Sequence, residues 1–296
     1  MITRDPTVFH TQDTPSYLIP AIALLRDHRF ATFGIPEIIR TPGYPLLLIP
    51  GIMIGRMELV AIILQIGISL GTMYLVYHLG DRLFRSRRAA LLAAGLYAVE
   101  PLSVLYTGKL MTETAFTGLI TLSAMLLLDA TRSWSRLFLG ALAVACAIYI
   151  RPIAYYLPFS LAAALAIACF LSRIPARPAC LRPLLFLAAC FMLIAPWQIR
   201  NYRMAGYPGF SAIAEINFYW FHLPALLPER YSAPPPDAGS GELLSLQYIA
   251  RIHPEFCDST QGHIADRMRT AAFREIGAHL FRYTWFHMKG MVRTVI

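Results

Sequence analysis

The chain has 296 residues, 57% hydrophobic and only 15% charged, with a mean hydropathy of +0.53. This balance lies outside that of soluble domains and points to a membrane protein. The net charge of +9 is almost all arginine, Lys109 and Lys289 being the only lysines. It sits in short links instead of a basic stripe interleaved with aromatics, which excludes a nucleic-acid binder.

Residues 1–12 are polar and lack the apolar centre of a signal peptide. Between Asp13 and His28 the pattern SYLIPAIALL predicts a short amphipathic helix, too short to cross a bilayer and suited to its interface. Residues 35–45, IPEIIRTPGYP, then set a charged corner against the greasy LLLIPGIMIG. Proline with glycine predicts a fixed turn that ends any helix, with Glu37 and Arg40 beside it.

A crossing of roughly 30 Å of hydrocarbon takes about 20 apolar residues. Six such runs are expected, near 57–79, 89–106, 111–129, 137–151, 153–172 and 183–199. The links DRLFRSRR (81–88), TRSWSR (131–136) and RIPARPACLR (173–182) are basic and read as cytoplasmic loops under the positive-inside rule. Residues 1–56, the turn at 107–112, the Arg151-Pro152 corner and the tail from 200 then face the other side.

The tail carries the aromatic AEINFYWFHLPALLPER, a proline- and glycine-crowded loop at 233–241, and a helical pattern over 265–288. Cys146, Cys169, Cys180 and Cys190 lie in or beside apolar runs and Cys257 in a polar region, so neither a disulfide framework nor a CxxC metal site is readable. The expected fold is all-α, a polytopic helical bundle. Residues 1–56 form an extracytoplasmic first loop with an interfacial helix, 57–199 the bundle, and 200–296 an extracytoplasmic loop and interfacial helix of an incomplete C-terminal region.

Four polar clusters fall on the far face: Asp13 in HTQDTPSY, Arg40 to Tyr44 in RTPGYP, Lys109 and Glu113 in YTGKLMTETAF, and Arg200-Asn201 in APWQIRNY. Charges at a membrane boundary need a partner or water, which one outward-opening polar cavity would supply together. Each cluster also has a plain reading. Arg40 could be an interfacial anchor, Lys109 and Glu113 could pair at i and i+4 on one helix turn, and Arg200 could cap a span.

In that order, D-x3-Y, R-x-PGYP, EPL-x3-YTGKLMTE, a helix-breaking RP and PW-x-IRN resemble the GT-C membrane glycosyltransferases. The likeness is to the bacterial branch related to protein O-mannosyltransferases and the lipid A aminoarabinose transferase. It runs from about residue 9 to 220 and more loosely to 296.

The resemblance implies transfer of a sugar from a polyprenyl-phosphate donor to a lipid, glycan or protein hydroxyl outside the plasma membrane. It gives Asp13 the place of the catalytic base and Glu113 that of a second acid, which could orient Lys109, assist Asp13 or help hold a divalent cation. Arg40, with Lys109 and Arg200, stands where the carrier phosphate would be met. Tyr17, Glu37, Tyr44 and Asn201 belong to the implied substrate cavity. No cofactor is implied with certainty; a carboxylate set would suit magnesium or calcium, and His10 near Asp13 could suit zinc. Asp5 is a rival base whose setting matches nothing in the pattern, and the run 217–222 could face sugar or carrier, or form an aromatic belt.

Relatives begin with a membrane helix before the catalytic acid and continue beyond the region of residue 296, so a fragment of such an enzyme, truncated at both ends, is expected. The competing readings are a transporter or flippase-like protein, an inactive fragment of the transferase, and a non-catalytic membrane scaffold.

Overall fold

The structure, a computed structural model, describes residues 5–172, 174–231 and 260–295. The loop expected at 233–241 and Cys257 lie outside the described residues. The chain forms two compact units, residues 1–35 with 41–197, and residues 36–40 with 198–296.

In the first unit, helix α1 (Thr14–Asp27) follows Asp13 as expected, with Pro15 in its first turn. A small hairpin, β1 (Ala31–Thr32) and β2 (Ile35–Pro36), holds the only strands among the described residues. The expected turn at RTPGYP is instead the start of helix α2 (Gly43–Ile54). Pro42 is the N-cap, and its carbonyl accepts the first helical bond, from Leu46 N, at 2.9 Å. The N–H groups of a first turn have no intrahelical acceptor, so Pro45 deprives the helix of nothing.

Gly43 is there for closeness. A Cβ at this position would lie 2.5 Å from the carbonyl carbon and oxygen of Tyr149, so the start of α2 rests directly on backbone.

Helices α3 (Met57–Phe84), α4 (Arg87–Val99), α5 (Pro101–Thr107), α6 (Glu113–Leu127), α7 (Trp134–Ile150), α8 (Leu157–Leu171) and α9 (Ala176–Ala205) follow the six expected runs. Their starts are set by local chemistry. Ser86 and Ser133 accept from the N–H groups of Ala89 and Arg136, each at 3.4 Å. Glu100 caps α5, and the Glu100-Pro101 junction bends α4 against α5 by 56°.

Among the described residues three helices are long and apolar enough to cross a membrane, Met57–Phe84, Pro152–Leu171 and Pro178–Ala205, and the bent pair of α4 and α5 is either a broken fourth span or a re-entrant loop. The runs expected at 111–129 and 137–151 are the shorter apolar helices α6 and α7, because the loops at 108–112 and 128–133 take up their ends. The long helices bury little of their surface in the protein: Leu70, Leu92 and Phe170 are 57%, 64% and 80% exposed. So much outward apolar area is stable only in lipid, and the protein is an all-α, multi-pass membrane protein.

The basic links meet at one end of this unit. Arg82 and Arg136 both pair with Asp129, the former at 2.6 Å. Arg182 donates to Ala130 O at 2.7 Å and lies 4.3 Å over the Trp134 ring. The C-terminus of α7, with the start of α2 against it, and the N-terminus of α6 form the opposite end.

In the second unit, residues 36–40 pack among the helices that follow α9. Ala212 N donates to Ile38 O at 2.9 Å and Ser211 Oγ to Ile39 O at 2.5 Å. Helix α10 (Ile213–Asn217), a π-helical turn (Phe218–His222) and α11 (Leu223–Leu226) follow closely. The single helical pattern expected over 265–288 is two helices, α12 (Gln261–Ala278) and α13 (Leu280–Val295), separated at His279. Ile38, Ile216, Trp220, Leu223 and Met268 centre the core.

Candidate active site

The sequence-predicted residues divide between the units. Asp13, Tyr17, Tyr44, Lys109 and Glu113 belong to the first, and Glu37, Arg40, Arg200 and Asn201 to the second.

In the first unit the segment before α1 is stitched to the loop between α5 and α6. Leu110 N donates to Phe9 O at 2.9 Å, Lys109 Nζ to Val8 O at 2.6 Å, and Thr14 Oγ1 to Leu110 O at 3.4 Å. These bonds bring Asp13, the half-buried N-cap of α1, to the loop that leads into Glu113, the first residue of α6. The two carboxylates therefore sit on neighbouring segments, at the end opposite the basic links.

Lys109 and Glu113 do not pair on one helix turn, as the i, i+4 spacing would allow. Helix α5 stops at Thr107 and α6 starts at Glu113, so the two residues share no helix. Glu113 instead meets Arg151, the C-cap of α7, with Nη1 to Oε1 at 2.6 Å and side chains 35% and 21% exposed for Arg151 and Glu113. The helix-breaking Arg151-Pro152 step turns the chain out of α7, where the guanidinium also stands 5.8 Å from the Phe116 ring centre. Sequence reading set this corner apart from the basic links but gave Arg151 no role. The signal was an arginine closing an apolar run at the end away from the basic links.

Beneath this layer, Tyr44 is 1% exposed and its hydroxyl donates to Gln65 Oε1 at 2.7 Å. Gln65 Nε2 passes the connection on to the carbonyls of Thr107 and Lys109, at 2.9 and 2.7 Å. A buried glutamine within an apolar helix is costly unless satisfied, and here its amide fixes the loop bearing Lys109. Tyr17 packs edge-on against Tyr44, ring centres 5.1 Å apart. His10 bonds Glu58 at 3.1 Å.

In the second unit, Glu37 Oε1 accepts from the backbone N–H groups of Ile39 and Arg40, at 2.7 and 2.9 Å, and so shapes the turn that carries Arg40. Arg200 Nη1 donates to Glu37 O at 2.5 Å and to Asn201 Oδ1 at 3.0 Å. Asn201 is fully buried, and its Nδ2 holds the carbonyls of Gly209 and Phe210. Two arginines are thereby organised around one short turn, and such forked donors suit a phosphate.

No group of three or more metal-ligating side chains occurs among the described residues.

Residues 40–199 match the family described as dolichyl-phosphate-mannose-protein mannosyltransferase, a stretch that holds Arg40, Tyr44, Lys109, Glu113 and Arg151. No curated protein and no solved structure matches the chain. With more than half its length in that match, the chain belongs to the dolichyl-phosphate-mannose-protein mannosyltransferase family and is a GT-C membrane glycosyltransferase, of the kind that draws its sugar from a polyprenyl-phosphate donor.

Proposed function

We propose that the protein transfers a sugar from a polyprenyl-phosphate carrier to a hydroxyl of a lipid, glycan or protein acceptor, on the extracytoplasmic side of the plasma membrane. In this reading residues 1–56 and 200–296 are extracytoplasmic and 57–199 form the bundle between them. The observation that carries it is the joining of the Asp13 and Glu113 segments at one end of a membrane bundle whose basic links gather at the other. Positive links mark the cytoplasmic end, which supports the outward placement of the carboxylates.

Asp13 takes the acceptor proton. As its carboxylate binds that proton, the acceptor oxygen attacks the anomeric carbon, and the bond from that carbon to the carrier phosphate breaks with its electron pair going to phosphate. One displacement inverts the anomeric centre. The leaving phosphate is a stable anion already, so fixed cations contribute most of what the protein must add. Lys109 serves that part within the first unit, and Arg40 and Arg200 are the second unit's own candidates for meeting a phosphate. Glu113, neutralised by Arg151, orients the polar layer without placing a second free negative charge before the phosphate.

Asp13→Asn tests the assignment, in the intact protein reconstituted with a polyprenyl-phosphate sugar. Loss of a general base typically lowers turnover by about 10² to 10⁴; unchanged turnover would refute the role.

A further inference from the structure

We infer that helix α13 is an interfacial helix whose Phe281, Trp285 and Met288 enter a bilayer containing anionic lipid, with Lys289 and Arg282 meeting the headgroups. The inference goes beyond sugar transfer and stands on the multi-pass membrane character of the chain alone.

At about 100° per residue, positions 281, 285 and 288 fall within about 60° of one another, forming one stripe. They are 86%, 50% and 54% exposed. The other side of the helix is occupied by the unit's own aromatics. Tyr283 Oη lies 2.9 Å from His222 Nδ1, and the His287 ring centre is 4.4 Å from that of Tyr283 and 5.1 Å from that of His222. The rotation of α13 is thus fixed from within, and the apolar stripe is the side turned out.

Charge selects the occupant. From Ile276 to Ile296 the sequence holds Arg282, Lys289 and Arg293 and no carboxylate. Lys289 Nζ stands 5.4 Å over the Trp285 ring, so a cation borders the stripe itself. Arg282 is 3.6 Å from Glu229, but both side chains are more than half exposed, a contact weak enough for a lipid phosphate to displace. An aromatic and aliphatic stripe bordered along the helix by Arg282 and Lys289 matches an anionic membrane surface, which attracts basic residues close to it.

The test uses the full chain with Trp134, Trp197 and Trp220 replaced by Phe, reconstituted in vesicles so that Trp285 is the only indole. Brominated phosphatidylglycerol should quench its emission at least twofold more than brominated phosphatidylcholine, and Arg282→Glu with Lys289→Glu should equalise the two. Quenching by aqueous acrylamide with none from either bromolipid, as a water-facing or protein-covered helix would give, overturns the inference. Equal quenching by both lipids in the chain with Arg282 and Lys289 intact removes its anionic part. A second measurement needs no substitution: amide exchange over 280–295 should slow at least tenfold in phosphatidylglycerol vesicles relative to phosphatidylcholine, and equal rates overturn that part again.

Discussion

Gly43→Ala should loosen the joint between α2 and α7. The new Cβ would meet Tyr149 C and O at 2.5 Å and Ile150 N at 2.8 Å, where ordinary contact begins near 3.4 Å. All three neighbours are backbone, so no rotamer change relieves the overlap. Helix α2 has to retreat by about 0.9 Å, the shortfall from an ordinary contact, or α7 has to bend at its last turn. Overpacking of this kind costs about 1–3 kcal/mol, offset only in part by the 0.5–1 kcal/mol that alanine gains over glycine within a helix.

Gly71→Ala in α3 is the control, because a Cβ there meets nothing within 4 Å; it should be neutral or mildly stabilising. Thermal unfolding of both variants in one detergent, read beside the parent, measures the difference. A Gly43→Ala protein that melts with Gly71→Ala, or above the parent, would refute the close approach of α2 to the α7 backbone.

The pair formed by Arg151 and Glu113 should show a coupling of about 1–2 kcal/mol in a double-mutant cycle with Arg151→Gln and Glu113→Gln. This lies between exposed pairs and buried ones, as the partial exposure of both side chains requires; coupling below about 0.3 kcal/mol would show that the contact adds nothing. The packing of α13 should weaken in acid. Burial, and then the neighbouring His287, hold the His222 imidazole below the usual histidine range. Its contribution to folding is therefore present above about pH 6.5 and is lost as the pH falls through its lowered value. Intrinsic-rate-corrected amide exchange over 280–295 should quicken between pH 7.5 and 5.5, and His222→Gln should flatten that profile; an unchanged profile contradicts the assignment.

Helix existence was legible because crossing a bilayer demands long apolar runs, and α3, α9 and the stretch Pro152–Leu171 that ends in α8 declare themselves by length. Cooperation between distant residues was not. Glu113 stands four places from Lys109, a spacing that suggests a pair, but the helices end and begin between them, and the partner is Arg151 from another helix. Gln65 reads as a stray polar residue in an apolar run until Tyr44 and the 107–109 carbonyls are brought beside it. The RTPGYP corner misled because proline stops a helix from within and is harmless in its first turn; only the position of the helix start distinguishes the two. His279 breaks the 265–288 pattern although no proline or glycine occupies that position.

The unequal lengths of neighbouring helices have a consequence for the lipid around them. Helix α3, with 28 residues, is about 42 Å long, whereas α6 and α7, with 15 and 17, reach only about 22 and 25 Å. Against hydrocarbon about 30 Å thick, the short pair falls short by about 5–8 Å, a mismatch that a bilayer can meet by thinning into a local depression. Glu113 and Arg151 stand at the rim of that depression. On the proposed function, a carrier phosphate at that rim would be lowered toward the bilayer midplane by several ångströms with its tail still in hydrocarbon, so that membrane shape would help bring it to the charged residues.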